Sequence, residues 1–428
     1  MKFIKYPTVE KTRSILKRPT IESKIIKENV LSIINTVITN GDRALQDFSE
    51  QFDGVKLKEL SVSKSEILKI ENKIDEKLKS AIDVAKNNIY TFHKAQQSIS
   101  SKIEIGKGIT CWRKSVPIEK VGLYIPGGTS PLFSTLLMLG IPAKIAGCNE
   151  IVVCSPPQKD GSIASSILYV AKLLGIKKIF KVGGAQAIAA MAFGTKTIPK
   201  VNKIFGPGNQ WVTNAKQIVN SYGVSIDMPA GPSEVLVVAD DSANPKFVAS
   251  DLLSQAEHGA DSQVVLVSNS EKLIKGVFEE IDTLKEKLSR KDLIKKSLSN
   301  SSAILVNNLD EAFDISNEYA PEHLILSIDN AETLSEKVIN AGSVFLGNYS
   351  PESAGDYASG TNHTLPTNGF ATAYSGVSLD SFMKNITFQK LTQKGLQKLA
   401  QTIEIMAESE GLDAHKLAVT VRRENSND

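Results

Sequence analysis

Apolar positions recur at steps of three and four residues over 63–97. Ile67, Ile70, Ile74, Leu78, Ala81, Ala85, Ile89 and Phe92 share one face, with Ser63 and Ser65 as N-cap residues. The pattern predicts one long helix there. Segment 41–53 has helical periodicity too, so the first quarter of the chain reads as mostly helix. At Val121 the pattern changes. Short apolar runs end in Gly- and Pro-rich turns: "VGLYIPGG", "EIVVCSPP", "KIFKVGGAQA" and "NKIFGPGN". A second series follows "AGPSE": "EVLVVAD", "QVVLVS", "AILVNN", "HLILSI" and "SVFLG". Helical stretches such as 162–174 separate most of these runs. Short buried strands alternating with helices predict parallel sheets in layered α/β domains.

Two α/β domains are expected. Residues 1–20 form an N-terminal segment, 21–120 with 235–376 the first α/β domain, 121–234 the second, and 377–428 a C-terminal helical arm without a strand. The final "RRENSND" is expected to fray. A chain of 428 residues exceeds a single core. The net charge of +3, from 50 basic and 47 acidic residues with no basic block, argues against nucleic acid or a membrane surface as partner. No apolar run reaches the roughly 18 residues of a membrane span, and the start lacks a signal-peptide core. Cys111, Cys148 and Cys154 are not in metal-finger spacing and read as reduced thiols of a cytoplasmic protein, the last two in the core.

Ligands of open α/β sheets sit beyond the carboxyl ends of the strands, where the Gly/Pro turns fall here. Nucleotide contact and plain turn chemistry both remain open, because neither G-x-G-x-x-G nor a P-loop is present. In "NPKFVASDLLSQAEHG", Asn244 is the expected N-cap, Pro245 the first helical residue and Gly259 the stop. Gln255 and His258 then share one face of the last turn. His323 follows Glu322 and Pro321, whose irregular entry would let both side chains aim inward. His363 and Asp356 share a polar loop, and His415 follows Glu410. His93 alone falls in the long helix, where a structural role is expected. Imidazole nitrogens with carboxylate or amide oxygens suit a zinc-like ion. Scattered histidines that merely satisfy their surroundings fit the same spacing.

"VGLYIPGG", "GPGN", "AGPSE", "LLSQAEHG", "YAPEHL", "SAGDYASGTNHTLPT" and "EGLDAHKLAVT" resemble the motifs of histidinol dehydrogenases, in order from about residue 110 to 422. The resemblance implies two incomplete Rossmann-like domains with parallel sheets and an intertwined homodimer with a shared active site. It implies oxidation of L-histidinol to L-histidine through bound L-histidinaldehyde, with two NAD+ and one zinc ion per subunit. By the same resemblance Gln255, His258, Asp356 and His415 would hold the zinc. Ser233, His323, His363, Glu410 and the zinc-binding residues would contact substrate. Glu322 and His323 would be the acid–base pair, and Tyr124, Gln186 and Asn209 would touch NAD+. A neutral His323 would accept the hydroxyl proton, and Glu322 would activate water for the aldehyde. A zinc hydrolase and a non-catalytic binding module are the rival expectations. The first leaves the glycine turns idle, and the second has no use for adjacent Glu322 and His323.

Overall fold

The computed structural model describes residues 1–19, 23–70, 73–97, 101–127 and 131–424. Gly128 of "VGLYIPGG", residues 71–72 of the expected long helix and residues 425–428 of the tail lie outside that set. The chain forms two compact units, residues 1–95 with 118–382 and residues 96–117 with 383–428.

In chain order the strands are β1 (Lys2–Lys5), β2 (Ile103–Gly106), β3 (Ile109–Pro117), β4 (Lys120–Tyr124), β5 (Glu150–Ser155), β6 (Lys178–Lys181) and β7 (Lys203–Phe205). They continue with β8 (Ser225–Ile226), β9 (Glu234–Ala239), β10 (Gln263–Ser268), β11 (Ser302–Leu305), β12 (His323–Ser327), β13 (Ser343–Leu346) and β14 (Met383–Leu391). Each apolar run quoted from Val121 onward becomes a strand.

The first unit holds two parallel sheets. Among the described residues, the larger has the order β1-β11-β10-β9-β12-β13 and the smaller β6-β5-β4-β7-β8. Counted from its own first strand, each repeats the order 3-2-1-4-5, with β1 added at one edge of the larger. That is the doubly wound order without its sixth strand. The central strands are buried on both faces, as runs such as Val235–Ala239 require.

The N-terminal helices pack with the smaller sheet. Helix Ser23–Asn40 lies on helices Gly184–Phe193 and Gln210–Asn220, and helix Glu76–Lys94 lies on Phe133–Ala146. From sequence these helices were grouped with 235–376. The packing follows from apolar surface: Phe133–Ala146 and Gly184–Phe193 are buried almost all round, so a further layer must cover them. Val30, Ile34, Val37, Ile82 and Ile89 supply it. The expected helix over 63–97 is broken into Lys64–Leu68 and Glu76–Lys94. Ser63 and Glu66 close a capping box on the first, and the Asp75 side chain accepts from the Lys77 N–H to start the second. Local polar caps outweigh the apolar periodicity there.

The second unit is an antiparallel sheet, ordered β14-β3-β2 among the described residues, with helices Gln393–Ser409 and Asp413–Glu424. The C-terminal segment was expected to have no strand, yet β14 pairs with β3 along its whole length. "MKNITFQKL" has no continuous apolar run because β14 is largely exposed. Its partner is distant in sequence, and the stacked Trp112–Phe388 pair, with centroids 5.2 Å apart, joins the two. Among the described residues, no helix is long and apolar enough to cross a membrane.

Candidate active site

Neighbouring strands β9 and β12 begin side by side at the point where the larger sheet's order reverses. Glu234 opens β9 and His323 opens β12. Ala320, in the left-handed region at φ 50°, and Pro321 turn the chain just before Glu322. Both Glu322 and His323 therefore reach one cluster, with Glu322 Oε2 3.6 Å from His323 Nδ1. Helix Pro245–Ala256 ends at the same place, capped at its start by Asn244 as expected. Its C-cap is Glu257, so His258 lies just beyond the helix rather than in its last turn. The last apolar turn closes on the Leu253 and Gln255 carbonyls, and the His258 N–H donates to Gln255 O at 3.3 Å.

Gln255 is fully buried. Its amide Nε2 donates to Glu322 Oε2 at 3.2 Å and to Glu234 O at 3.3 Å, and lies 3.4 Å from His323 Nδ1. On the other side of the ring, His323 Nε2 is 3.3 Å from Asp356 Oδ1. Asp356 sits in helix Glu352–Tyr357, and its carbonyl meets His363 Nδ1 at 2.8 Å. His363 Nε2 is 3.1 Å from Thr135 Oγ1, which bridges to the smaller sheet's helices. A cleft of about 530 Å³ opens over this cluster, lined by Ser233, His258, Glu322 and His363 among others.

Burial opposes a charged His323 ring, but the carboxylates of Glu322, Asp356 and Glu352 hold its pKa well above the ordinary value. The neutral imidazole expected near pH 7 is thus not what this cluster favours on its own. The Glu322 and Asp356 carboxylates lead the interactions that outweigh desolvation. Burial likewise raises Asp356, yet the close approach of the His323 ring and the charges of His323, His363 and His258 hold it below the usual carboxylate range. Burial pushes Glu352 up to about 8, with His323 and Ser254 pulling the other way. His363 is lowered, chiefly by burial.

Gln255 Oε1 and Asp356 Oδ1 are buried without a hydrogen-bond partner. His258 lines the cleft and is one of the charges felt by Asp356. One nitrogen and two oxygens in this setting fit a divalent ion's donor chemistry, one ligand short of the usual zinc set. Among the described residues no three His, Cys, Asp or Glu side chains gather closely enough to hold an ion by themselves. Glu410 caps helix Gln393–Ser409 and His415 lies in the first turns of Asp413–Glu424, both exposed on the second unit.

A second cavity, of about 1100 Å³, lies at the carboxyl ends of β4 and β6 and is lined by Tyr124, Gln186 and Asn209. It shares Gly127 and Asn209 with the cleft. The buried Tyr124 hydroxyl accepts from the Gly184 N–H at 3.1 Å. Asn209 caps helix Gln210–Asn220, accepting from Trp211 N at 3.1 Å and Val212 N at 3.2 Å. Gly206, at φ +127°, has room for no side chain: a Cβ would lie 2.1 Å from Tyr124 O. Its N–H donates to Asp227 Oδ2 at 2.8 Å, and buried Lys216 pairs with Asp227 and donates to Gly206 O at 2.9 Å.

His93 is buried with Nδ1 2.9 Å from Ile89 O and Nε2 3.2 Å from Asn362 Nδ2, the structural role expected of it. Cys148 and Cys154 are core thiols, Cys148 pushed up to about 11 by burial. Glu234, Glu352 and Thr135 were not singled out from sequence. Only Glu352, four residues before Asp356 on one helix, left a spacing signal.

The family model for histidinol dehydrogenase matches residues 16–423. A histidinol dehydrogenase of Bacteroides thetaiotaomicron is 59% identical over 99% of both chains. One from Haemophilus influenzae is 54% identical over 96% of this chain and 95% of its own. The crystal structure of histidinol dehydrogenase from Elizabethkingia anophelis superposes with a TM-score of 0.98 at 51% identity, covering 100% of this chain and 99% of that one.

Proposed function

The chain belongs to the histidinol dehydrogenase family of oxidoreductases, which serves histidine biosynthesis, and from that premise we propose that it oxidises L-histidinol to L-histidine with NAD+ through enzyme-bound L-histidinaldehyde. The observation that carries this reading is the cluster of Gln255, Glu322, His323 and Asp356 in a cleft that adjoins the Tyr124–Gln186–Asn209 cavity. A dinucleotide in the second cavity would reach the first with its nicotinamide across Gly127 and Asn209.

In the first oxidation His323 takes the hydroxyl proton, and NAD+, when bound, would accept the hydride. The aldehyde then gains water, with Glu322 taking a proton from the water and His323 returning its proton to the carbonyl oxygen. A second NAD+, when bound, would accept the hydride from the hydrate as His323 takes the hydroxyl proton. Ser233, His363 and Glu410 bind and orient the substrate. Zinc, one ion per subunit, would be held by Gln255, His258, Asp356 and His415. When bound it would supply a positive charge that orients the substrate and offsets Asp356's charge, which would lower the proton affinity of the His323 ring. His323 can then work as a neutral base.

His415 and Glu410 are read as the partner subunit's contribution to each site in a homodimer. Ile103, Ile105, Ile405, Met406 and Leu417 are largely exposed on the second unit, apolar surface of the kind a subunit interface covers. Free Cys111, Cys148 and Cys154 agree with a cytoplasmic location. Adding L-histidinol and NAD+ to the purified protein should yield two NADH per histidine formed. A chelator should stop turnover and Zn2+ restore it. No NADH from histidinol, or full turnover in exhaustively metal-free protein, would overturn the reading.

A further inference from the structure

The backbone of Glu234 touches three site residues at once. Its N–H donates to Glu322 Oε2 at 3.0 Å. Its carbonyl accepts from Gln255 Nε2 at 3.3 Å and lies 3.4 Å from His323 Nδ1. The position of that backbone therefore sets where Glu322 and Gln255 point. The Glu234 side chain runs the other way and is itself held. Arg18 Nε donates to Glu234 Oε2 at 2.5 Å and Arg18 Nη2 to Oε1 at 2.9 Å, a two-pronged contact. Arg18 Nη2 also donates to Tyr319 O at 2.6 Å, and the guanidinium lies 3.9 Å from the centre of the Tyr319 ring. The Tyr319 hydroxyl lies 3.3 Å from Glu234 Oε2 and donates to Gln263 Oε1 at 2.9 Å.

We propose that Arg18 is a positioning residue for the reaction, acting through Glu234 to hold Gln255, Glu322 and His323 in register. It touches no reacting atom. Stability is a weak reason for such a pair. Replacing a buried ion pair by well-packed apolar groups is often neutral or stabilising, because desolvation cancels much of the attraction. What the pair does is fix geometry, since a planar fork on a carboxylate allows little rotation. The Tyr319 carbonyl ties the same guanidinium to the segment that leads, through Ala320 and Pro321, into Glu322. Arg18 thus braces both the peptide that Glu322 accepts from and the turn that carries Glu322. The N-terminal segment reaches the site without lining it.

The inference rests on the dehydrogenase reading for its kinetic arm only. Arg18→Met, Arg18→Lys and Glu234→Gln would be compared with the parent. One readout is kcat and KM for histidinol and for NAD+. The other is the side-chain 15N shifts of the His323 ring, assigned with His323→Asn and recorded at one pH in the zinc-loaded and metal-free protein. Arg18→Met is expected to lower kcat by about 10–100-fold, the usual effect of losing an outer-shell partner, with KM for NAD+ little changed. The His323 ring signals should move while those of His93 stay in place. Arg18→Lys, which keeps the charge without the fork, should recover part of both. It also supplies the test if Arg18→Met does not fold. If the variants lose only melting temperature, with kcat and the His323 signals as in the parent, Arg18 is structural and the proposal fails. If the parent itself does not oxidise histidinol, the functional reading fails, while the ring signals still decide whether Arg18 acts on His323.

Discussion

The two parallel sheets share one strand order but present opposite ends to the shared cleft. The smaller sheet offers the carboxyl ends of β4, β6 and β7, where helices Gly184–Phe193 and Gln210–Asn220 begin. The larger offers the amino ends of β9 and β12, where helix Pro245–Ala256 stops. Helix N-termini carry partial positive charge and free N–H groups, so the first end suits phosphates. A helix C-terminus carries partial negative charge, so the second suits cations and imidazoles. The same topology, turned end for end, sets helix N-termini on one wall, here called the anion wall, and a helix C-terminus on the other, the cation wall. The sequence reading places ligands beyond strand carboxyl ends; such ends line the cavities on the smaller sheet, while the amino ends of β9 and β12 line the cleft on the larger.

The largest effect should come from the amino-end cluster. His323→Asn should lower both oxidations by about 10²–10⁴-fold, the range for losing a general base. Glu322→Gln should impair the aldehyde-to-acid step more than the alcohol step. NADH formation measured separately from histidinol and from histidinaldehyde checks both, and equal losses in the two steps for Glu322→Gln would contradict the division of labour. Neither variant should weaken NAD+ binding, which is proposed for the other sheet.

The second test asks whether the cation wall is complete in one chain. His258→Ala and His415→Ala homodimers should both be inactive. Unfolded, mixed and refolded together, they should form heterodimers in which both lesions fall in one site. Activity should then return towards about half of the parent's per heterodimer, by the two-fold symmetry of such an interface. Heterodimers without activity would mean that His415 serves its own chain.

A smaller effect is expected at the anion wall. Gly206→Ala forces a Cβ to within 2.1 Å of Tyr124 O at a φ of +127°. It should destabilise the protein by about 1–3 kcal/mol, the order of backbone strain at such positions, and raise KM for NAD+. Zinc retention, measured by metal analysis after dialysis, should be unaffected. Loss of zinc together with NAD+ affinity would show that the two walls are not independent.

A further effect is a pH dependence. Burial raises Glu352 to about 8 from its ordinary 4.5, so in the metal-free protein the folded state holds a proton that the unfolded chain has lost. The stability this contributes is full below the ordinary value and disappears as pH rises through about 8. Melting temperatures of metal-free parent and Glu352→Gln should therefore diverge with rising pH, the variant gaining relative to the parent. Parallel curves from about pH 5 to about pH 9 would remove Glu352 from this account.

The strand runs from Val121 onward, the Asn244 cap, the core thiols and the structural role of His93 were all legible in the sequence. Each rests on signals that local chain chemistry carries: apolar runs, spacing, turn residues and caps. The gathering of Gln255, Glu322, His323, Asp356 and His363 was legible only through family motifs, since no local rule joins residues so far apart. Tertiary structure alone decided the rest. Strand β14 shows no apolar run because its support is a partner strand, not a core. The helices between residues 23 and 94 chose the smaller sheet because its helices needed cover. Which end of the larger sheet faces the cleft depends on how two sheets are set against each other. Glu234 gained its place at the hub only when β9 and β12 began side by side, and the charge favoured on His323 was set by the carboxylates that folding brought around it.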